Sequence, residues 1–119
     1  MNHFISLTTA IDMTTRFRNQ RENILKTEYQ DQNLLPFSET FDRAAFEALL
    51  GEDGAQGLRI YYGMDENLKI HTIIVAVNEN NEDILPATEQ AFAAGEDVYI
   101  VENGTRCPEL CPTPSLLTS

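Results

Sequence analysis

Ile73-Ile74-Val75-Ala76-Val77, five apolar residues in succession, is the stretch that most constrains how this chain can fold. A strand with one wet face alternates apolar and polar residues, because successive side chains point to opposite faces. Unbroken apolarity instead predicts a strand buried on both faces, central in its sheet. Upstream lies a second β-rich run, Leu58-Arg59-Ile60-Tyr61-Tyr62-Gly63, and the polar Met64-Asp65-Glu66-Asn67 separates it from Leu68 to Val77. Two such runs about a short polar loop predict an antiparallel hairpin. In its first strand Leu58, Ile60 and Tyr62 share one face, and Arg59 and Tyr61 share the other.

Two helices precede the hairpin. Leu7, Ala10, Ile11, Phe17, Ile24 and Leu25 recur at helical intervals, predicting a helix over residues 6–26 with Ser6 as N-cap. Thr14 and Arg21 interrupt this stripe, and Arg16, Arg18, Arg21 and Glu22 mostly cover the other face. So narrow a stripe predicts packing on the sheet or on a partner. Residues 27–41 are irregular, yet Tyr29, Leu34, Leu35, Phe37 and Phe41 predict that they lie against the core. A second helix spans Arg43 to Leu50, with Asp42 as cap and Phe41 and Phe46 spaced as a hydrophobic staple. Phe46, Leu49 and Leu50 form its predicted buried face, and Gly51 is placed for a left-handed C-terminal cap.

Beyond Val77, Asn78 to Asp83 is a polar, acidic loop. Residues 84–97 have no clear period; a short helix at Ala87 to Ala94 is bracketed by Pro86 and Gly95. Val98-Tyr99-Ile100-Val101 reads as a third strand. The prolines of Cys107-Pro108-Glu109-Leu110-Cys111-Pro112-Thr113-Pro114 lack the amide hydrogen that a helix or central strand needs. The expected fold is therefore α+β: two N-terminal helices packed on a small antiparallel sheet, the hairpin plus a third strand, and an extended proline-rich tail. A chain of 119 residues supports one core, expected as a single domain over 1–106 with the tail at 107–119.

The net charge of −11 bears on partners. Such a surface repels phosphate backbones and anionic membranes, so neither nucleic acid nor membrane is an expected partner. Arg16, Arg18, Arg21 and Lys26 outnumber the acids of the first thirty residues, so a mildly basic helix can dock on the acidic remainder, in the same chain or a second copy. Met1 to Ile5 lacks a basic leader region, and the longest apolar run is far short of the ~20 residues that span a bilayer. The expectation is a cytoplasmic protein, in which Asn103-Gly104-Thr105 is a chance match to a glycosylation pattern.

Ile5-Ser6-Leu7, Ser38-Glu39-Thr40-Phe41, Leu58 to Asp65 with its Arg-Ile-Tyr-Tyr-Gly core, Asp83-Ile84-Leu85 and the Cys-Pro-x-x-Cys-Pro tail occur here in one order. In this the chain resembles a group of small uncharacterised bacterial proteins over nearly its whole length. The resemblance implies one intact small domain and brings no activity, cofactor or site residue with it.

Three constellations bear on chemistry. Cys107 and Cys111 have the spacing of a zinc half-site, which a second copy, His3 or His71 would have to complete. The expected reading is instead a packed or mobile arm without a disulfide, since prolines after both cysteines favour extended backbone. Asn78, Asn80, Glu82 and Glu89 fall at calcium-loop positions, but Asn78 stands where Asp is needed and Asp83 where Gly is needed; a solvated loop is expected. Arg59 and Tyr61 share a face that His71 joins in the right register, giving a grip for a carboxylate or phosphate and an acid or base. The structural alternative pairs Arg59 and Tyr61 with an acid such as Asp83.

The leading expectation is thus a non-enzymatic interaction or accessory module, with no cofactor unless zinc. It would work as a homodimer, or on another protein, through the apolar sheet face of Ile73, Val75 and Val77. The alternative is a small-molecule-binding protein or enzyme using Arg59, Tyr61 and His71.

Overall fold

The computed structural model describes residues 2–86 and 99–118. The chain is α+β and divides into two compact units, Met1–Glu39 with Arg106–Ser119, and Thr40–Thr105. Residues from Arg106 onward therefore group with the N-terminal stretch. The short strands β1 (Ser38–Thr40) and β5 (Thr105–Cys107), within which the unit boundaries fall, pair in a two-stranded sheet.

The second unit contains the hairpin. Strand β2 (Gly57–Met64) pairs antiparallel with β3 (Ile70–Val77), from Gly57 opposite Val77 to Met64 opposite Ile70. Strand β4 (Asp83–Ile84) pairs with the other edge of β3, and Val101 makes an antiparallel bridge to Ile74, exchanging hydrogen bonds of 2.7 and 2.9 Å. β3 is central, as its unbroken apolarity predicts, and Ile74, Val75, Ala76 and Val77 are buried. Helix α2 (Arg43–Leu50) packs on it, with Leu49, Ile74 and Ala76 forming the core and Phe41, Phe46, Leu58, Ile84 and Val101 around them. Phe41 and Phe46 stack at 5.9 Å between centroids, the staple read from their spacing.

Several details differ from expectation. The third strand of the sheet is β4, formed where the stretch read as loop meets the one read without a clear period; of the strand expected at 98–101, Tyr99 and Ile100 have no strand pairing and Val101 makes a single bridge. Buried Glu52 secures that segment, its carboxylate accepting from the Tyr99 N–H at 2.9 Å. Leu50 is 53% exposed, because in an eight-residue helix the residue next to Leu49 points a quarter-turn away from the sheet. The Asp42 side chain makes no capping bond; its backbone carbonyl accepts from the Ala45 N–H instead. Gly51 ends the helix at φ −82°, still right-handed, and the left-handed turn comes at Gly54, φ 81°. The short helix at Ala87 to Ala94, Val98 and Glu89 lie outside the described residues.

In the first unit, helix α1 (Leu7–Gln20) starts where predicted, with the Ser6 hydroxyl accepting from the Thr9 N–H at 3.0 Å. It ends earlier than residue 26 and buries none of its residues. Arg21, expected on the solvent side, is the organiser here: its guanidinium donates to the Leu35 carbonyl at 2.7 Å, pairs with Glu22 and lies 4.1 Å over the Phe37 ring. The long aliphatic stem of arginine lets a charged head cover apolar chain while satisfying backbone. Arg106 reaches the Asn33 and Leu34 carbonyls at 3.3 and 3.4 Å, and Leu34, in the irregular stretch 27–41, is buried.

The start of the tail turns back on itself. Cys107 and Cys111 are joined in a disulfide, with Cα atoms 4.4 Å apart. Proline restricts the residue before it, here the two cysteines, and leaves the intervening residues free to turn. The turn is closed by the Leu110 N–H donating to the Arg106 carbonyl at 3.0 Å.

Candidate functional site

The β2–β3 register decides which residues can act together. Arg59 is opposite Val75, Tyr61 opposite Ile73 and Gly63 opposite His71. Residues directly opposed in a ladder share a face, so Arg59, Tyr61 and His71 lie on one side of the sheet, and Asp83, opposite Val77, joins them. Gly63 fits this face because a Cβ there would sit 2.9 Å from Cδ1 of Ile73.

The shared face holds two groups of polar side chains. In the first, Asp83 lies between Arg59 and Tyr61: the guanidinium donates to Oδ1 and the phenol to Oδ2. A second guanidinium nitrogen donates to the Asn81 carbonyl at 2.9 Å and its Oδ1 at 2.6 Å. Tyr61's hydroxyl, and after it the Arg59 guanidinium, hold the Asp83 carboxyl below the ordinary carboxylate range, against the opposing effect of burial. The loop behind this arrangement is built by Asn78, whose Oδ1 accepts from the Asn80 and Glu82 N–H groups at 2.9 and 3.0 Å. That oxygen caps backbone, so the calcium-loop count has no structural counterpart at its first position.

The second group centres on His71. Its Nε2 is 2.8 Å from Asp65 Oδ2 and its Nδ1 is 3.5 Å from Glu102 Oε1. A carboxylate only accepts, so Nε2 carries the hydrogen toward Asp65. Nδ1 is buried and, among the described residues, has no hydrogen-bond partner. Asp65 Oδ1 meanwhile accepts from the Asn67 and Lys69 N–H groups at 2.8 and 3.0 Å, which shapes the hairpin loop and lets Leu68 take φ 66°. The hydrogen bond to His71, followed by those backbone bonds, lowers the Asp65 carboxyl.

Arg59 and Tyr61 are therefore brought together on Asp83, while His71 serves a separate pair of acids on the same face. Asp65 was detectable in the sequence as the Asx residue of a hairpin loop. Asn81 and Glu102 carried no signal, because each is brought in by pairing across β3.

Cys107 and Cys111, expected without a disulfide, are bonded to each other and in that state offer no thiolate to a metal. Among the described residues, no group of three or more His, Cys, Asp or Glu side chains is placed to hold a metal ion. Val75 and Val77 are already buried within one chain and Ile73 is half-buried, so the apolar face read as needing an outside cover is largely covered. Among the described residues, no helix is long and apolar enough to cross a membrane. Comparison with protein-family models, curated proteins and solved structures finds no match.

The lowered carboxyls fix a pH dependence. Unfolded, Asp65 and Asp83 titrate near the ordinary value of about 3.9; folded, both titrate lower. Below that value the unfolded chain binds more protons, so stability rises with pH there. The contribution is complete above about pH 4 and is lost as pH falls through the folded values. Thermal midpoints measured from about pH 2.5 to 6 should show this slope, reduced in Asp83→Asn and again in Asp65→Asn/Asp83→Asn. An undiminished slope in the double variant would place the acid sensitivity elsewhere.

Proposed function

We propose that the second unit binds a small ligand bearing a carboxylate or phosphate, with Arg59 and Tyr61 as the groups that grip it. One observation carries this reading: the pair already holds a carboxylate, that of Asp83, between a guanidinium and a phenol. Arginine's planar fork suits such oxyanions. The supporting bonds from Asn81 fix the guanidinium in place, which lowers the entropy lost when a ligand binds. Asp83 then acts as an internal competitor. It lies on the two-residue strand β4, and an incoming anion takes its place.

Competition gives a distinctive test. Apparent affinity falls with the fraction of molecules whose site is vacant, so removing the competitor raises it. In NMR titrations with acetate and with inorganic phosphate, Asp83→Ala should bind about tenfold or more tightly than the unchanged protein. Arg59→Gln should abolish binding in either background. Asp83→Asn, which keeps the shape, guards against loss of fold. A folded Asp83→Ala or Asp83→Asn protein that binds neither anion overturns the proposal and leaves the cluster as an anchor for β4.

Interaction with another protein is the second reading. It is favoured by Ile60, Tyr62 and Met64, exposed apolar residues on the edge strand β2.

A further inference from the structure

Backbone geometry shows which groups of β2 are unused. Ile74 exchanges both of its backbone hydrogen bonds with Val101, on the side of β3 away from β2. The opposed pair Ile60 and Ile74 is therefore a non-hydrogen-bonded pair within the β2–β3 ladder. Such pairs alternate with hydrogen-bonded ones along an antiparallel ladder. It follows that Leu58, Ile60, Tyr62 and Met64 turn their N–H and C=O groups outward, along an edge that no strand pairs with among the described residues.

Natural sheets protect such an edge with lysine, proline, a bulge or an inward charge. Gly57–Met64 has no lysine or proline, pairs with β3 without a break in register, and has one charged residue, Arg59, committed to Asp83 and Asn81. The outward residues are apolar, with Ile60 54%, Tyr62 79% and Met64 62% exposed. In a chain of net charge −11 this edge is a local neutral strip where like-charged copies can approach.

We infer that β2 pairs with β2 of a second copy of this chain, antiparallel about a two-fold axis through Tyr61. This register is self-complementary and pairs all four outward residues of β2. It sets Ile60 against Tyr62 of the other copy and Leu58 against Met64, each pair exchanging outward backbone hydrogen bonds. Arg59 falls opposite Gly63, so no like charges meet, and the two Tyr61 residues face each other at the axis. β-branched–aromatic pairs are among the stabilising cross-strand combinations. The two three-stranded sheets then join into one, which gives the interaction reading a definite partner and does not depend on the oxyanion site.

Sedimentation equilibrium over a range of concentrations, at low and high salt, tests the association. The full chain should form dimers more readily at high salt, because screening removes repulsion between two acidic copies. Hydrogen exchange locates the interface: the Ile60 and Tyr62 amides should slow severalfold as concentration rises. Tyr62→Lys adds a charge at an exposed position; it should keep the wild-type thermal midpoint at dilution and stay monomeric, with those amides unprotected. A wild-type monomer at every concentration in high salt overturns the proposal. So does a dimer that Tyr62→Lys leaves intact, and a dimer with fast-exchanging Ile60 and Tyr62 amides places the interface elsewhere. Should another protein occupy this edge, the isolated chain would be monomeric and those amides would slow only when that protein is added, a separate result from self-pairing.

Discussion

Ile74→Asp is expected to leave the second unit without a folded state at 25 °C. Ile74 is 2% exposed, packs with Leu49 and Ala76, and is tied through its backbone to Val101. A carboxyl placed there is buried among apolar side chains with no partner. Burying even a neutral polar group unpaired costs roughly 2–7 kcal/mol depending on reference state, and a charge costs more. Total stability is only about 5–15 kcal/mol for proteins in general. The lost methyl packing adds to the deficit. Circular dichroism and amide NMR dispersion report the outcome directly, with Ile74→Val as the control that costs only about 0.5–1.5 kcal/mol. A soluble Ile74→Asp protein with an unchanged thermal midpoint would mean that β3 is not central.

The neighbouring leucines of α2 should differ sharply. Leu49 is fully buried against the sheet and Leu50 is 53% exposed. Leu49→Ala is expected to cost about 2–5 kcal/mol, through lost transfer energy and the cavity left behind. Leu50→Ala, an exposed substitution by a better helix former, should stay within about 0.5 kcal/mol. Urea denaturation of both variants, with similar m-values, separates the two effects. Equal losses would show that α2 is rotated about its axis from the position described here.

Asp83 connects the sheet with the proposed ligand chemistry. It anchors the shortest strand and fills the oxyanion grip, so the same substitution that vacates the site is expected to lower stability above about pH 4 and to flatten the acid-side slope. The two effects separate by pH: anion binding is read near neutrality, where both aspartates are ionised, and the stability slope below about pH 4.

Much of the local structure was legible from the sequence. The unbroken run Ile73 to Val77 identified the central strand, because only a strand covered on both faces tolerates five apolar residues in succession. The Phe41–Phe46 spacing and the Ser6 cap were readable because each depends on residues a few positions apart. The pairing of Arg59 and Tyr61 with Asp83 was one of two readings of a charged and an aromatic residue sharing a face. Placing His71 and Asp83 on that face required the β2–β3 and β3–β4 registers, since a one-residue slip would have sent either to the other side.

What the sequence by itself determined was therefore set by short-range stereochemistry: two helices, a hairpin, its buried strand and which residues of β2 share a face. The tertiary structure alone decided the long-range pairings. β4 as the third strand of the sheet, Glu102 beside His71, Arg21 on the Leu35 carbonyl and over the Phe37 ring, and the turn that joins Cys107 to Cys111 are each made by contacts that periodicity does not encode. The physical reason is the same in each case. Local propensity and apolar period are properties of consecutive residues, whereas a hydrogen bond or ion pair between distant segments forms only after packing has fixed which unsatisfied groups face one another.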